Sequence, residues 1–305
     1  MKQSNFYGFT VHNWKAELAG FPKEDSYAFD EDKKIVCVAD GVTRDFTDGN
    51  VVTRDLEGLL KSWNGKYPKY AQDVSKICTD NFLKTKSLIK ANKSIGDYNA
   101  MTLDKIDYLG NDFAGCTAAG VFEKGEFLYW QFIADSGIAI IDSFGNLKFK
   151  TPDEGPHCKE KNPYLERILK QHGEFQNPEG RKIIRSQYRN NPEEKFAYGV
   201  LTGEKTAENY IKGGKEKLNT GDYVLLYTDG VGEFIFNNEK IDREFRNKLL
   251  QNDFKGMREF CKKKISNEGT LVVYQKPARH SSPSAYSMMM RQKELCERDF
   301  FGPLY

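Results

Sequence analysis

What most constrains the fold is how strand-like and helix-like stretches are grouped along the chain. Tyr27 to Asp30 and Ile35 to Ala39 are apolar runs joined by the polar turn EDKK, which reads as a hairpin feeding a buried strand. A block of helix follows. Val52, Leu56, Leu59, Leu60 and Trp63 recur on one helical face with Gly65 just beyond, and Val74, Ile77, Cys78 and Phe82 give a second amphipathic helix. From Gly115 to Asp142 the chain reads as an antiparallel meander of three short apolar runs, divided at Lys124-Gly125 and at Ala134-Asp135-Ser136-Gly137. Residues 150–195 carry Pro152, Pro156, Pro163 and Pro192, with a helical signal only from Tyr164 to Leu169, so they read as a loop or insertion. Strands resume at Ala197 to Leu201 and Tyr223 to Thr228. Phe245 to Leu250 and Met257 to Ile265 read as helices, and Thr270 to Tyr274 as a final strand. Hairpins interrupted by blocks of helices predict α+β layers around antiparallel sheets, not a doubly wound parallel fold.

Composition removes several function classes. Among 305 residues, 39% apolar and 30% charged, basic and acidic side chains nearly cancel to +2. No whole-protein field for nucleic acid or anionic lipid is expected. No run approaches the roughly 20 apolar residues of a membrane span, and the first residues lack the apolar centre of a secretory signal. The expected location is the cytoplasm, with no membrane partner and a monomeric state. Cys37, Cys78, Cys116, Cys158, Cys261 and Cys296 form no CxxC pair and read as reduced, mostly structural residues. His12, His157, His172 and His280 are dispersed and read as polar surface residues. Gly213-Gly214-Lys215 reads as a turn, Ser136 lacks a nucleophile elbow, and Phe127, Tyr129, Trp130 and Phe132 read as sheet core. The Ser-rich stretch 276–305 breaks the pattern and reads as a tail, partner-binding, disordered or appended, behind one domain spanning 1–275.

The chemistry-bearing feature is where acids fall relative to the strands. Asp40 follows IVCVA and precedes Gly41; Asp229 follows YVLLYT and precedes Gly230; Asp135 follows WQFIA; Glu24-Asp25 opens the first hairpin. A lone Asp-Gly reads as a turn. Acids repeatedly set beside buried strands are costly unless neutralised, and hard divalent cations with oxygen ligands do that well. Spacing alone leaves the turn and the metal site about evenly matched.

The segments EDSYAF, VADGV, GCTAAGVF, FIADSG, TGDYVLLYTDGVGE and NEGTLVVY, taken in order, resemble the successive motifs of the metal-dependent protein phosphatases, the protein phosphatase 2C family. The resemblance runs from about Phe6 to Gln275 and has the character of a divergent microbial member. It implies a four-layer α/β/β/α sandwich, two central antiparallel β-sheets flanked by helix pairs, with two Mg²⁺ or Mn²⁺ ions at one end. By the resemblance, Asp40 bridges both metals, the Gly41 carbonyl binds one and Asp229 the other. Glu24 and Asp25 act largely through metal-bound water. Asp135 matches the acid that some members use for a third, weaker metal. The implied reaction is hydrolysis of phosphoserine or phosphothreonine in a phosphorylated protein substrate, with a metal-bridging water as nucleophile and no phosphoenzyme.

Three positions depart from the family pattern. Asn267-Glu268 stands where members usually present Asp-Asn, so Asn267 binds through its amide oxygen, Glu268 takes over by a one-residue shift, or one metal site is impaired. The usual phosphate-binding arginine is replaced by Gly20, leaving Lys23 or Arg44 as substitutes. Thr43-Arg44-Asp45 occupies the place of a glycine pair, and Val42 that of a histidine found after Asp-Gly in many eukaryotic members. The competing functions are a pseudophosphatase that recognises a partner and a phosphatase of small phosphorylated molecules.

Overall fold

The computed structural model describes residues 4–14, 17, 23–42, 70–102, 114–171, 183–184, 186–237, 240–266 and 268–277. The helix expected around 52–63, together with Arg44, Asn267 and most of the tail, lies outside the described residues. Lys276 still belongs to the folded body, its Nζ donating to the Leu218 carbonyl at 2.9 Å.

In chain order the main elements are β1 (Phe6–His12), β2 (Ser26–Asp30), β3 (Ile35–Val42), α1 (Tyr70–Thr85), α2 (Leu88–Thr102), β4 (Gly115–Lys124), β5 (Phe127–Ile133), β6 (Gly137–Ile141) and β7 (Leu147–Lys150). They continue with α3 (Asn162–Gln171), a 3₁₀ turn at Lys205–Tyr210, β8 (Lys212–Lys217), β9 (Tyr223–Tyr227), α4 (Asp229–Ile235), the short β10 (Phe236–Asn237) and β11 (Lys240–Ile241), α5 (Arg243–Leu250), α6 (Phe254–Lys264) and β12 (Glu268–Gln275). One five-stranded sheet has the order β1-β12-β9-β6-β7 and the other β2-β3-β4-β5-β8. Every pairing within them is antiparallel.

Strand alternation explains the layers. On β3, Val36 and Val38 face the other sheet and, with Ala119, Val121 and Phe132 of their own sheet, meet its Ile138, Ile140, Val224, Leu226 and Val272 in a core between the sheets. Ile35, Cys37 and Ala39 point the opposite way, onto Val74, Cys78 and Phe82 of α1 and Leu88 and Ile95 of α2. On the far side, Leu225, Tyr227, Leu271 and Val273 pack on Phe245 and Leu249 of α5 and Met257 and Phe260 of α6. The result is the expected α/β/β/α sandwich.

The structure corrects several local expectations. The three runs from Gly115 to Asp142 are not one meander: β4 and β5 pair, but β6 lies in the other sheet beside β9. Ala134, in the left-handed region at φ 63°, turns the chain across. Apolar runs of equal character carry no mark of which sheet they join. Gly213-Gly214-Lys215 is not a turn but part of edge strand β8, where the Trp130 ring covers Gly214 and would stand 2.5 Å from a β-carbon there. Ala197 to Leu201 makes only isolated bridges, Leu201 with Cys116 and Tyr198 with Arg189. The 150–195 region contains the expected helix, α3, and builds a small core from Leu165, Ile184, Tyr188, Tyr198 and Val200. Phe127 is 37% exposed and Tyr129 stacks on Phe122 at 5.1 Å, so only part of that aromatic run fills the core. Among the described residues no helix is long and apolar enough to cross a membrane.

Candidate active site

At one end of the sandwich the stripes that face the inter-sheet core change from apolar to polar on both sheets. On β3 the series Val36, Val38 ends in Asp40, paired across to Thr117 of β4. Ser26 pairs with Ala39, which brings Asp25, one residue before β2, beside Asp40. On the opposite sheet, Val224 and Leu226 continue to Thr228, and Val272 continues back to Thr270 and Glu268. Thr10 and His12 of β1 pair with Thr270 and Glu268. An aqueous-facing mouth is therefore built from the last inward positions of strands whose preceding residues lock the two sheets together.

Hydrogen bonds tie the two sides of this mouth. Thr228 Oγ1 donates to Asp25 Oδ2 at 2.8 Å and accepts from the Thr270 N–H at 2.9 Å. Thr117 and Ser136 share a hydroxyl hydrogen bond of 2.8 Å. Glu268 Oε2 accepts from the Glu24 N–H at 2.8 Å, and His12 Nε2 lies 3.7 Å from the same oxygen. His12, expected at the surface, is 3% exposed. Ser136, fully buried and held by Thr117, has the environment of a structural hydroxyl.

Two glycines allow the close approaches. A β-carbon on Gly41 would stand 2.6 Å from the Glu24 carbonyl oxygen and 2.7 Å from that of Ala71. One on Gly230 would lie 1.9 Å from the Glu268 carbonyl oxygen. Asp229 opens α4 directly after Thr228, with its Oδ1 accepting from the Gly230 N–H at 2.5 Å.

The acids act on one another through space. Burial, with repulsion from Asp229, pushes the Asp25 carboxyl up to about 7 although Thr228 and Thr270 donate to it. Burial and the charges of Asp25, Asp229 and Asp135 push Asp40 well above the carboxylate range. Asp135 is pushed up to about 7 by burial, then by Asp229 and Asp153. Glu268 is pushed up to about 9 by burial and by Asp25. The charges acting on these carboxyls are chiefly those of other carboxyls.

The structure thus brings together Asp25, Asp40, Asp135, Asp229 and Glu268, with Glu24 and Gly41 alongside. Lys23 is exposed, and its charge is felt by His12. Thr117, Thr228, Thr270 and Asp153 were not singled out by sequence. The threonines carry a readable signal, since each continues an inward-facing stripe by one step. Asp153 carries none, because its loop folds over Asp135 only in three dimensions: a β-carbon on Gly155 would stand 2.5 Å from Asp135 Oδ2.

The donor set suits a hard divalent cation: it is all oxygen, rich in carboxylate, and Asp135 Oδ1 and Glu268 Oε1 are buried without a hydrogen-bond partner. Among the described residues, no three His, Cys, Asp or Glu side chains are grouped closely enough to hold an ion as they stand.

No protein-family model and no curated protein matches this sequence. Solved structures do match in fold. The catalytic domain of the serine/threonine protein phosphatase PstP, in complex with two manganese ions, is 16% identical, with 90% of this chain and 98% of that one covered at a TM-score of 0.52. The Mycobacterium tuberculosis serine/threonine phosphatase PstP/Ppp is 15% identical over 90% and 98%, at 0.54. A bacterial serine phosphatase is 13% identical over 90% and 99%, at 0.52. This chain has the fold shared by these phosphatases, the protein phosphatase 2C-like α/β/β/α sandwich.

Proposed function

We propose that this chain is a metal-dependent phosphoserine/phosphothreonine protein phosphatase, a phosphoric monoester hydrolase acting on a phosphorylated protein in the cytoplasm as a monomer. The observation that carries the reading is the carboxylate-lined mouth of a phosphatase-type sandwich, whose acids repel one another and include two orphaned buried oxygens. Asp40 and Asp229 would be the central residues holding two Mg²⁺ or Mn²⁺ ions, with the Gly41 carbonyl, Glu24 and Asp25 supporting them. Glu268, which faces Asp25, completes the set in place of the neutral Asn267. Asp135 serves a third, weaker site.

Such ions, when bound, supply an ionised water at neutral pH and offset charge on the phosphoryl oxygens. The chain's own part is positional. Thr228 holds Asp25 through Oδ2, the Glu24 N–H holds Glu268, and Gly41 keeps the β3 backbone against Glu24 and α1. Lys23 is the described cation assigned to the substrate phosphate, with Arg44 the second.

The test is hydrolysis of p-nitrophenyl phosphate and of a phosphothreonine peptide in EDTA, Mg²⁺ or Mn²⁺, for the parent and Asp40→Asn. Metal-dependent turnover that disappears in the variant is expected; absence of turnover from folded parent in either metal refutes the enzyme. A second reading, a partner-binding pseudophosphatase, is favoured by the lack of a ready three-ligand group among the described residues. Calorimetry with Mn²⁺ separates the two, since the scaffold binds none. A peptide-to-small-ester activity ratio below one points instead to small phosphorylated substrates.

A further inference from the structure

Helices cover the outer face of the second sheet for only part of its length. Cys116 and Ala118 of β4 and Ile133 of β5 face those helices, so by alternation the even residues of β4 and the odd residues of β5 and β8 point outward in cross-strand rows. The Phe82 ring of α1 covers Gly120. The neighbouring Gln131 side chain donates to the Lys86 carbonyl at 3.1 Å and accepts from the Leu88 N–H at 2.9 Å, so the helix cover ends at this row. Two rows lie beyond it, Phe122, Tyr129 and Lys215 in one, Lys124, Phe127 and Lys217 in the other. Ile35, the partner of Phe122 on β3, continues the first row into a hollow of about 500 Å³ against Leu83, Lys84 and Lys86 at the end of α1.

This face is apolar and cationic together. Phe122 and Tyr129 stack at 5.1 Å, and Phe127 is 37% exposed. Lys86 lies over the Phe122 ring at 5.1 Å and Lys215 over that of Phe127 at 5.0 Å, while Lys84 and Lys124 are exposed. Among the described residues none of these four lysines forms an ion pair. The acids of the hollow are already taken, Asp30 by Lys33 at 2.7 Å and Asp80 by Lys76 at 3.1 Å. Uncovered rings beside unpaired cations suit a ligand that brings carboxylates and an apolar side chain. A nucleic acid suits them less, because bases stack on open ring faces and lysines already lie over those of Phe122 and Phe127.

We propose that this face is a docking site for an acidic segment of a partner protein, its carboxylates meeting Lys84, Lys86, Lys124 and Lys215 and one apolar side chain entering the hollow on Ile35 and Leu83. The site is separate from the mouth. Along β4, the distance from Thr117, the partner of Asp40, to Phe122 is about 17 Å of strand. On the phosphatase reading the partner is the substrate, its acidic segment set no fewer than about five extended residues from the phosphorylated one.

The labelled peptide Glu-Glu-Phe-Glu-Leu-Glu is titrated into the full chain without metal, by fluorescence anisotropy at about 0.1 M salt, where charges more than about 10 Å apart are screened. Micromolar binding is expected, roughly tenfold weaker for the glutamine counterpart of the peptide and for the double variant Lys124→Glu, Lys215→Glu. Lys255→Glu, on α6 in the opposite layer, stays within about twofold of the parent. A full chain that ignores the peptide overturns the site, whether the face is bare or held by residues 278–305. Unchanged binding in the double variant, or an oligothymidylate bound as tightly, overturns the acidic protein partner. For the substrate role, a phosphothreonine peptide carrying the acidic segment has a KM roughly tenfold below that of the same peptide without it, and the double variant removes the difference while keeping p-nitrophenyl phosphate turnover. Equal KM values with the anisotropy intact overturn that role alone. If the parent hydrolyses neither ester, the phosphatase reading falls, while the titration still decides the docking site.

Discussion

Thr228→Val is the sharpest probe of how the mouth is held. The valine keeps the shape of a fully buried residue and removes one oxygen that serves two partners, Asp25 Oδ2 at 2.8 Å and the Thr270 N–H at 2.9 Å. A buried N–H left without an acceptor costs about 1–3 kcal/mol, and a hydrogen bond to a charged group contributes about 1.5–3 kcal/mol. The two share one atom and do not add in full, so the loss is placed at about 3 kcal/mol. Urea unfolding of the metal-free protein measures it, as a lower midpoint with an unchanged slope. Thr228 also lowers the Asp25 carboxyl, so its removal sends that group further above about 7. The gap between parent and variant therefore widens as the pH rises past neutrality. Mn²⁺ affinity, read by calorimetry, falls roughly 10–100-fold, the usual effect of losing an outer-shell partner. Thr228→Ser retains both bonds and most of both quantities. A valine variant within about 0.5 kcal/mol of the parent, with unchanged Mn²⁺ affinity, would show that Thr228 does not hold Asp25.

The carboxylates also set a pH dependence. Asp25 and Asp135 have folded-state values raised to about 7, so the folded protein binds more protons than the unfolded chain between about pH 4 and 7. Stability of the metal-free protein must fall as pH rises through that window, on the order of 4 kcal/mol for one carboxyl moved by three units, and Mn²⁺ must restore it at pH 8. Thermal unfolding with and without Mn²⁺ at pH 5 and pH 8 checks this; a metal-free protein more stable at pH 8 contradicts it. Gly230→Ala forces a β-carbon to 1.9 Å from the Glu268 carbonyl oxygen, so α4 must lift off β12 and carry Asp229 with it. A loss of about 2 kcal/mol is expected, together with weaker Mn²⁺ binding; an unfolding temperature equal to the parent's would show that α4 does not depend on this close approach.

The carboxylates of the mouth were legible because burial makes an acid conspicuous. Asp40 closes a wholly apolar run and Asp229 one whose last residue alone, Thr228, is polar, and only a special environment tolerates an acid there. The hydroxyls were not, since Thr117, Thr228 and Thr270 are compatible with any strand end. Their meaning comes from parity: the residue two before Thr228 is Leu226 and the residue two after Thr270 is Val272, both in the inter-sheet core. Extending each inward stripe one step past its last apolar residue would have found all three. Other features have no such trace. His12 is buried because β12 happens to place Glu268 opposite it, and β6 changes sheet because Ala134 adopts a left-handed conformation that nothing in ADSG demands of alanine. Helix α2 was missed although Leu88, Ala91 and Ile95 lie on one face, because its polar positions include Asn92 and Asn99, which are themselves buried. Asn92 donates to the Glu204 carbonyl at 2.9 Å, and Asn99 to those of Ala114 and Thr202 at 2.9 Å each. Local pattern therefore reports which residues want to be inside, whereas the polar partners that let Asn92, Asn99 and Asp25 be inside are contributed by segments more than a dozen residues away. A site assembled across two sheets is readable in its acids and unreadable in its supports for the same reason: the acid announces a cost, and the group that offsets it is chosen by the fold.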